Sequence, residues 1–242
     1  VMEASARNNI PLILLDRPNP NAHYIDGPVL ELKNKSFVGM HEVPIVYGLT
    51  IGEYAVMINS EGWLKDNLKS NLVIVKLENY TRNAEYELPI IPSPNLPNKR
   101  SVNLYPSLCL FEGTNVSAGR GTKMQFQIFG SPYLDKKNNI FNFIPQKNSG
   151  SKYPKYENTI CYGKNLENLK RQNKLNLSFL INAYKDSSNK SEFFNSYFIK
   201  LAGTEDLKNQ IIKGVSENKI IESWQVKLDV YKEKRKKYLL YN

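Results

Sequence analysis

Three polar runs sit in apolar surroundings, and they hold most of the side chains able to do chemistry. Leu15-Asp-Arg-Pro-Asn-Pro20 offers Asp16, Arg17 and Asn19. Pro92-Ser-Pro-Asn-Leu-Pro97 offers Asn95 on a stiff loop. Glu112-Gly-Thr-Asn-Val-Ser-Ala-Gly-Arg-Gly-Thr122 offers Glu112, Thr114, Asn115, Ser117 and Arg120. Carboxylate, guanidinium, amide and hydroxyl groups together read sugar hydroxyls and a carboxylate substituent. Arg120 lies between Gly119 and Gly121, and glycines let backbone and ligand come close. The plainer reading is loop chemistry, with Arg120 and Glu112 pairing structurally. Cys109 lies in an apolar run, which suits a buried structural thiol better than a nucleophile. His23 and His41 have no metal-ligand partners in sequence.

The elements that must position these groups can be read from pattern. Residues 1–9 read as the end of a helix, and 11–16 as a buried strand covered on both faces. Arg17-Pro-Asn-Pro20 stops that strand, and α/β sheets bind ligands at the carboxyl ends of strands. Thr50-Ile-Gly-Glu53 is a capping box heading a helix to about Asn59. Residues 72–77 form a second β-branched strand. Pro89 to Pro97 is an extended loop, 104–112 a short buried helix, and 124–129 a strand. Beyond the polar break at 136–139 come strand-like pieces at 141–145 and 159–163 and a helix near 177–186. A helix follows, capped by Thr204 and stopped by Gly214. The last one starts after Ser216 and buries Ile220, Trp224, Leu228 and Tyr231.

Composition bounds the rest. The chain has 242 residues, 41% hydrophobic, with two cysteines and a formal charge of +10. This excludes a disordered tail, a disulfide scaffold and a multi-cysteine zinc module, and the sequence implies no metal. No apolar run is long enough to span a membrane. Residues 1–135 hold 12 Lys and Arg against 13 Asp and Glu, whereas 136–242 hold 21 against 10. That excess fits an anionic partner, or simply composition: 26 lysines and 29 asparagines accumulate on solvated faces. Tyr153, Tyr156 and Tyr162 lie among Lys152, Lys155 and Lys164 without the spacing of a nucleic-acid module. No glycine fingerprint of a nucleotide site follows the 11–16 strand.

Several motifs occur in order: Leu-Asp-Arg-Pro-Asn-Pro (15–20), Asp-Gly-Pro (26–28), Tyr-Gly-Leu-Thr-Ile-Gly-Glu (47–53) and Pro-Ser-Pro-Asn-Leu-Pro (92–97). Tyr-Pro-Ser-Leu-Cys-Leu-Phe-Glu-Gly-Thr-Asn-Val-Ser-Ala-Gly-Arg-Gly-Thr (105–122), Leu-Ala-Gly-Thr (201–204) and Arg-Lys-Lys-Tyr-Leu-Leu-Tyr (235–241) follow. The series resembles the exo-β-N-acetylmuramidase family of peptidoglycan-recycling glycosidases. The resemblance implies an α/β fold: a Rossmann-like parallel-sheet domain, its N-terminal part missing, over 1–135, and a smaller α+β domain over 136–242. It implies an active site in the cleft between them and release of terminal N-acetylmuramic acid from muropeptide or disaccharide substrates. It implies no cofactor, and a bacterial protein that is periplasmic or secreted; the residues themselves call for no nucleic acid and no membrane span. It places a family glutamate, in a Pro-Glu-His-Gly-like motif, upstream of Val1, so this chain is expected to be inactive by itself. The alternative is a non-catalytic glycan-binding chain.

A glycosidase uses two carboxyl groups flanking the bond. Within this chain the candidates are Glu112 and Asp16, with Glu53 weakest because capping explains it. Arg17, Asn19, Asn95, Thr114, Asn115, Ser117 and Arg120 are the expected substrate contacts, with Arg120 on the lactyl carboxylate.

Overall fold

A computed structural model describes residues 1–242. The first part is built around a parallel pair. Helix α1 (Met2–Arg7) leads into strand β1 (Leu12–Leu15). β1 pairs in parallel with β4 (Leu72–Val75), Leu12 facing Leu72 and Leu15 facing Val75. The parallel pairing agrees with the expectation, but the burial does not. Ile13 is 64% and Leu15 69% exposed, while Leu12 and Leu14 are half-buried. Strand side chains alternate between faces, and here only one face is covered.

Between these strands lies a segment whose patterns were weaker in sequence. Strands β2 (Asp26–Val29) and β3 (Pro44–Val46) form an irregular antiparallel ribbon. Helix α2 (Ile51–Ser60) follows with the expected capping box. Thr50 Oγ1 accepts from Glu53 N, and the Glu53 carboxylate accepts from Thr50 N.

Helix α3 (Lys99–Leu108) begins five residues before the expected start. Asn98 caps it by accepting from Ser101 N at 2.9 Å, a shorter box than the glutamate form. A 3-10 turn over Cys109–Gly113 continues it. The expected strand over 124–129 shifts to β5 (Ile128–Ser131). Residues 124–127 turn instead, because Phe126 takes φ 53° and its N–H bonds Ala118 O. β5 joins β7 (Cys161–Asn165) and β6 (Phe141–Phe143) in an antiparallel sheet ordered β5-β7-β6. This sheet spans residue 136, where the composition shifts.

Four helices complete the chain: α4 (Ser178–Asp186), α5 (Tyr197–Ala202), α6 (Asp206–Ile212) and α7 (Glu217–Lys236). α5 has no sequence expectation, and Gly203 at φ 74° ends it. α7 buries the expected stripe of Ile220, Trp224, Leu228 and Tyr231. One core cluster of 24 residues runs from Leu104 to Leu228, with Phe111, Phe193 and Phe198 fully buried. A smaller cluster of Leu49, Met57 and Tyr231 joins α2 to α7. No helix is long and apolar enough to cross a membrane.

Candidate functional site

The turn that ends α3 and the loop after it build a polar pocket. Phe111 O accepts from both Thr114 N and Thr114 Oγ1, and Val116 N donates back to Thr114 Oγ1. Ser117 and Gly130 exchange both backbone hydrogen bonds, which anchors the loop to β5. Gly119 and Gly121 adopt φ 77° and 82°, conformations that suit glycine and turn Arg120 outward between them. Arg120 Nη1 donates to Glu112 Oε1 at 2.6 Å. The pair lines a cavity of about 380 Å³ together with Ser117, Ser151, Tyr153, Lys155 and Tyr197.

Lys155 is the buried support of this pocket. Its ammonium donates to Phe111 O, Thr114 O and Val116 O at 2.5 to 3.3 Å. These carbonyls bracket Glu112 in the chain, so Lys155 fixes the backbone that carries the carboxylate. Burial pushes its pKa down to about 8, opposed by the Glu112 charge and assisted by Arg120.

A second cavity, of about 480 Å³ and mostly apolar, meets the first at Glu112 and Tyr197. Tyr105, Tyr47, Tyr54 and His41 also line it. Glu112 is the only carboxylate lining either cavity. The Arg120 guanidinium fixes the direction in which the Glu112 carboxylate faces the two cavities.

The expected site residues divide. Glu112, Ser117 and Arg120 line the pocket. Thr114 is buried and shapes the turn through its hydroxyl. Asn115 Nδ2 donates to Asn189 O, and Asn95 Nδ2 donates to Gly150 O. Both amides therefore brace loops and line neither cavity. Asp16 lies elsewhere, buried among donors. It accepts from Thr50 Oγ1 at 2.6 Å, Tyr241 Oη at 2.7 Å, Gly52 N at 2.8 Å and Arg17 N at 2.9 Å. Those four bonds occupy the acceptor positions of one carboxylate. Asn19 spends its amide on Leu49 O and Asn21 N, and the Arg17 side chain is exposed. Glu53 is fully buried and pairs with the Arg82 guanidinium in addition to capping α2.

Ser151, Tyr153, Lys155 and Tyr197 are the polar pocket residues that the sequence alone does not assign. The Lys-Tyr-Pro-Lys-Tyr run at 152–156 was visible as tyrosines among lysines. Only the fold shows it closing over the 112–120 loop. Cys109 and Cys161 are buried free thiols, both pushed up to about 12 by burial, and so unreactive.

The mixed α/β fold with small parallel and antiparallel sheets has close counterparts among solved structures. A DUF1343 family protein from Bacteroides fragilis superposes with a TM-score of 0.96 at 42% identity, over 100% of this chain and 69% of that one. A second from the same organism gives 0.80 at 25% identity, with the same coverage. The family models described as exo-beta-N-acetylmuramidase NamZ, N-terminal and C-terminal, match residues 1–100 and 103–241. The chain belongs to the NamZ family. It is 34% identical to the peptidoglycan beta-N-acetylmuramidase NamZ of Bacillus subtilis strain 168, over 99% of this chain. It spans 62% of that relative's length.

Proposed function

We propose that this chain carries the sugar-binding part of an exo-β-N-acetylmuramidase, a glycosidase that releases terminal N-acetylmuramic acid from peptidoglycan fragments outside the bacterial cytoplasm. The observation that carries this reading is the position of Glu112. It stands where a polar pocket meets an apolar groove, paired with Arg120. The pocket takes the terminal sugar, with Arg120 leaving Glu112 to grip the lactyl carboxylate through its guanidinium fork. The groove, with Tyr105 and Tyr197 at its mouth, takes the leaving portion. Glu112 then faces the bond between them. Tyr153 and Tyr197 supply aromatic faces for sugar rings, and Ser117 supplies polar contact. In this reading β1, β4 and α2 belong to a Rossmann-like domain.

Glycoside hydrolysis needs a second carboxyl group about 5–10 Å from the first. Neither cavity supplies one, and on this reading the chain by itself binds muramic acid without hydrolysing its glycosides. This favours the glycan-binding reading for the chain by itself. Calorimetry with N-acetylmuramic acid, beside an assay with its chromogenic glycoside, tests the proposal. Binding without turnover is expected, and Arg120→Lys, which loses the bidentate fork, weakens binding about tenfold. Equal binding of N-acetylglucosamine, which lacks the lactyl group, would overturn the role of Arg120. Turnover by this chain would show that the acid lies within it.

A further inference from the structure

A third cleft carries charge that the sugar pocket does not use. It encloses about 310 Å³ and is lined by Lys99, Arg100, Lys170 and Arg171, with Glu85 and Tyr86 on one wall. Four separate stretches of chain build it, and it shares no residue with either cavity at Glu112. Four cations thus converge around one carboxylate.

Three of the four charges, on Arg100, Lys170 and Arg171, are held without a carboxylate partner. The Arg100 guanidinium donates to Leu169 O. Arg171 donates to Pro20 O and Asn83 O, both at 3.4 Å, and to His23 Nδ1 at 3.0 Å. Carbonyls and a neutral ring nitrogen orient both guanidiniums and leave their charge unpaired. Lys99 is shared between Glu87 at 2.5 Å and Glu85 at 3.6 Å, and both glutamates are exposed. Lys170 adds a solvent-facing ammonium. Asn103, also in the lining, is spent on Asn21 and Gln172 and holds the wall together. Like charges brought together repel, and a bound anion offsets that cost.

We propose that this cleft binds a phosphate-bearing ligand carrying at least two negative charges. Guanidinium forks match phosphate oxygens in bidentate fashion, and the lysines add point charges. Four cations against Glu85 and Glu87 leave two positive charges unbalanced. Tyr86, half-buried on the wall, offers an aromatic face to the organic part of the ligand. The site is independent of the sugar pocket and of the function proposed for it.

Calorimetric titration of the chain with pyrophosphate at low salt tests this, with citrate as a carboxylate control. Pyrophosphate should bind at one site, about tenfold weaker after Arg100→Gln or Arg171→Gln. Lys170→Gln, which touches no carbonyl and so spares the fold, should weaken it a few-fold. Arg120→Gln should leave it unchanged. Long-chain polyphosphate that binds tighter, with the same sensitivity to Lys170→Gln, would support the site and make its ligand a chain. Absence of binding, citrate binding as tightly, or equal loss with Arg120→Gln would each overturn the proposal.

Discussion

At the scale of single residues, Glu112 and Asp16 look alike in sequence and differ in the fold. Each follows an apolar run and opens a polar one. Sequence shows neither the four donors around Asp16, which come from residues 17, 50, 52 and 241, nor the lone guanidinium beside Glu112. The donors decide the roles. Asp16→Asn puts an NH2 group among donors and removes the charge that four of them address. The expected loss is about 3 kcal/mol in urea unfolding, with sugar affinity falling only through the unfolded fraction. Glu112→Gln is the converse. Its ion pair is part-exposed, with side-chain accessibilities of 43% for Arg120 and 23% for Glu112, so stability should change by less than about 1 kcal/mol. Binding of the proposed N-acetylmuramic acid ligand should hold or tighten, because Arg120 then has no carboxylate to leave before it grips the lactyl group. The opposite pattern, a stable Asp16→Asn and an unfolded Glu112→Gln, would reverse the assignment.

At the scale of elements, legibility followed the strength of local signals. The box Thr50–Glu53 reads from sequence because both partners are ideal types, and α2 starts where it predicts. The box Asn98–Ser101 hides because serine replaces the longer acceptor, so the sequence pattern starts α3 five residues late. The β2–β3 ribbon has Gly27 and Pro28 in one strand and Pro44 in the other, which masks any alternation. The loop over 113–122 was legible from its glycines, and it carries the pocket. Gly52 shows how an element rule yields to packing. In the first turn of α2, alanine should normally strengthen the helix. A Cβ at Gly52 would stand 2.7 Å from Asp16 Cγ, in a carboxylate held by four bonds. Gly52→Ala should therefore destabilise by about 1–3 kcal/mol, read as a lower urea midpoint at unchanged m-value. A gain in stability would mean that Asp16 can move aside freely.

At the scale of the whole molecule, the end of the chain is tied to its beginning. Tyr241 Oη bonds Asp16, Leu240 N bonds Glu53, and Arg82 bonds the carbonyls of Tyr241 and Asn242. Arg235 bonds Gly48 O from α7. The closing Arg-Lys-Lys-Tyr-Leu-Leu-Tyr run was visible as a motif, but not as a strap, because its partners lie some 160 to 225 positions away. In the same way the lysine excess read as composition, and only folding brings Lys170 and Arg171 against Lys99 and Arg100. Two histidines sit in joints between separate elements. His23 donates from Nε2 to Gln172 O and accepts from Arg171 at Nδ1, which requires a neutral ring. His41 stacks on Trp63 with centroids 4.9 Å apart and bonds Tyr54 Oη. Burial first, then Arg171 for His23 and Lys35 for His41, lowers both pKa values from the usual 6.5. Below about that pH the unfolded chain takes protons that the folded chain declines, so stability rises with pH there. It is fully present above about 6.5 and lost as pH falls through the lowered folded values, by at most about 1.4 kcal/mol per pH unit for each ring. Urea unfolding at about pH 7.5 and 5.5 should show this drop, and a His23→Gln, His41→Gln double variant should flatten it. Wild-type stability that stayed level or rose on acidification would mean that these rings protonate as easily in the folded chain as in the unfolded one.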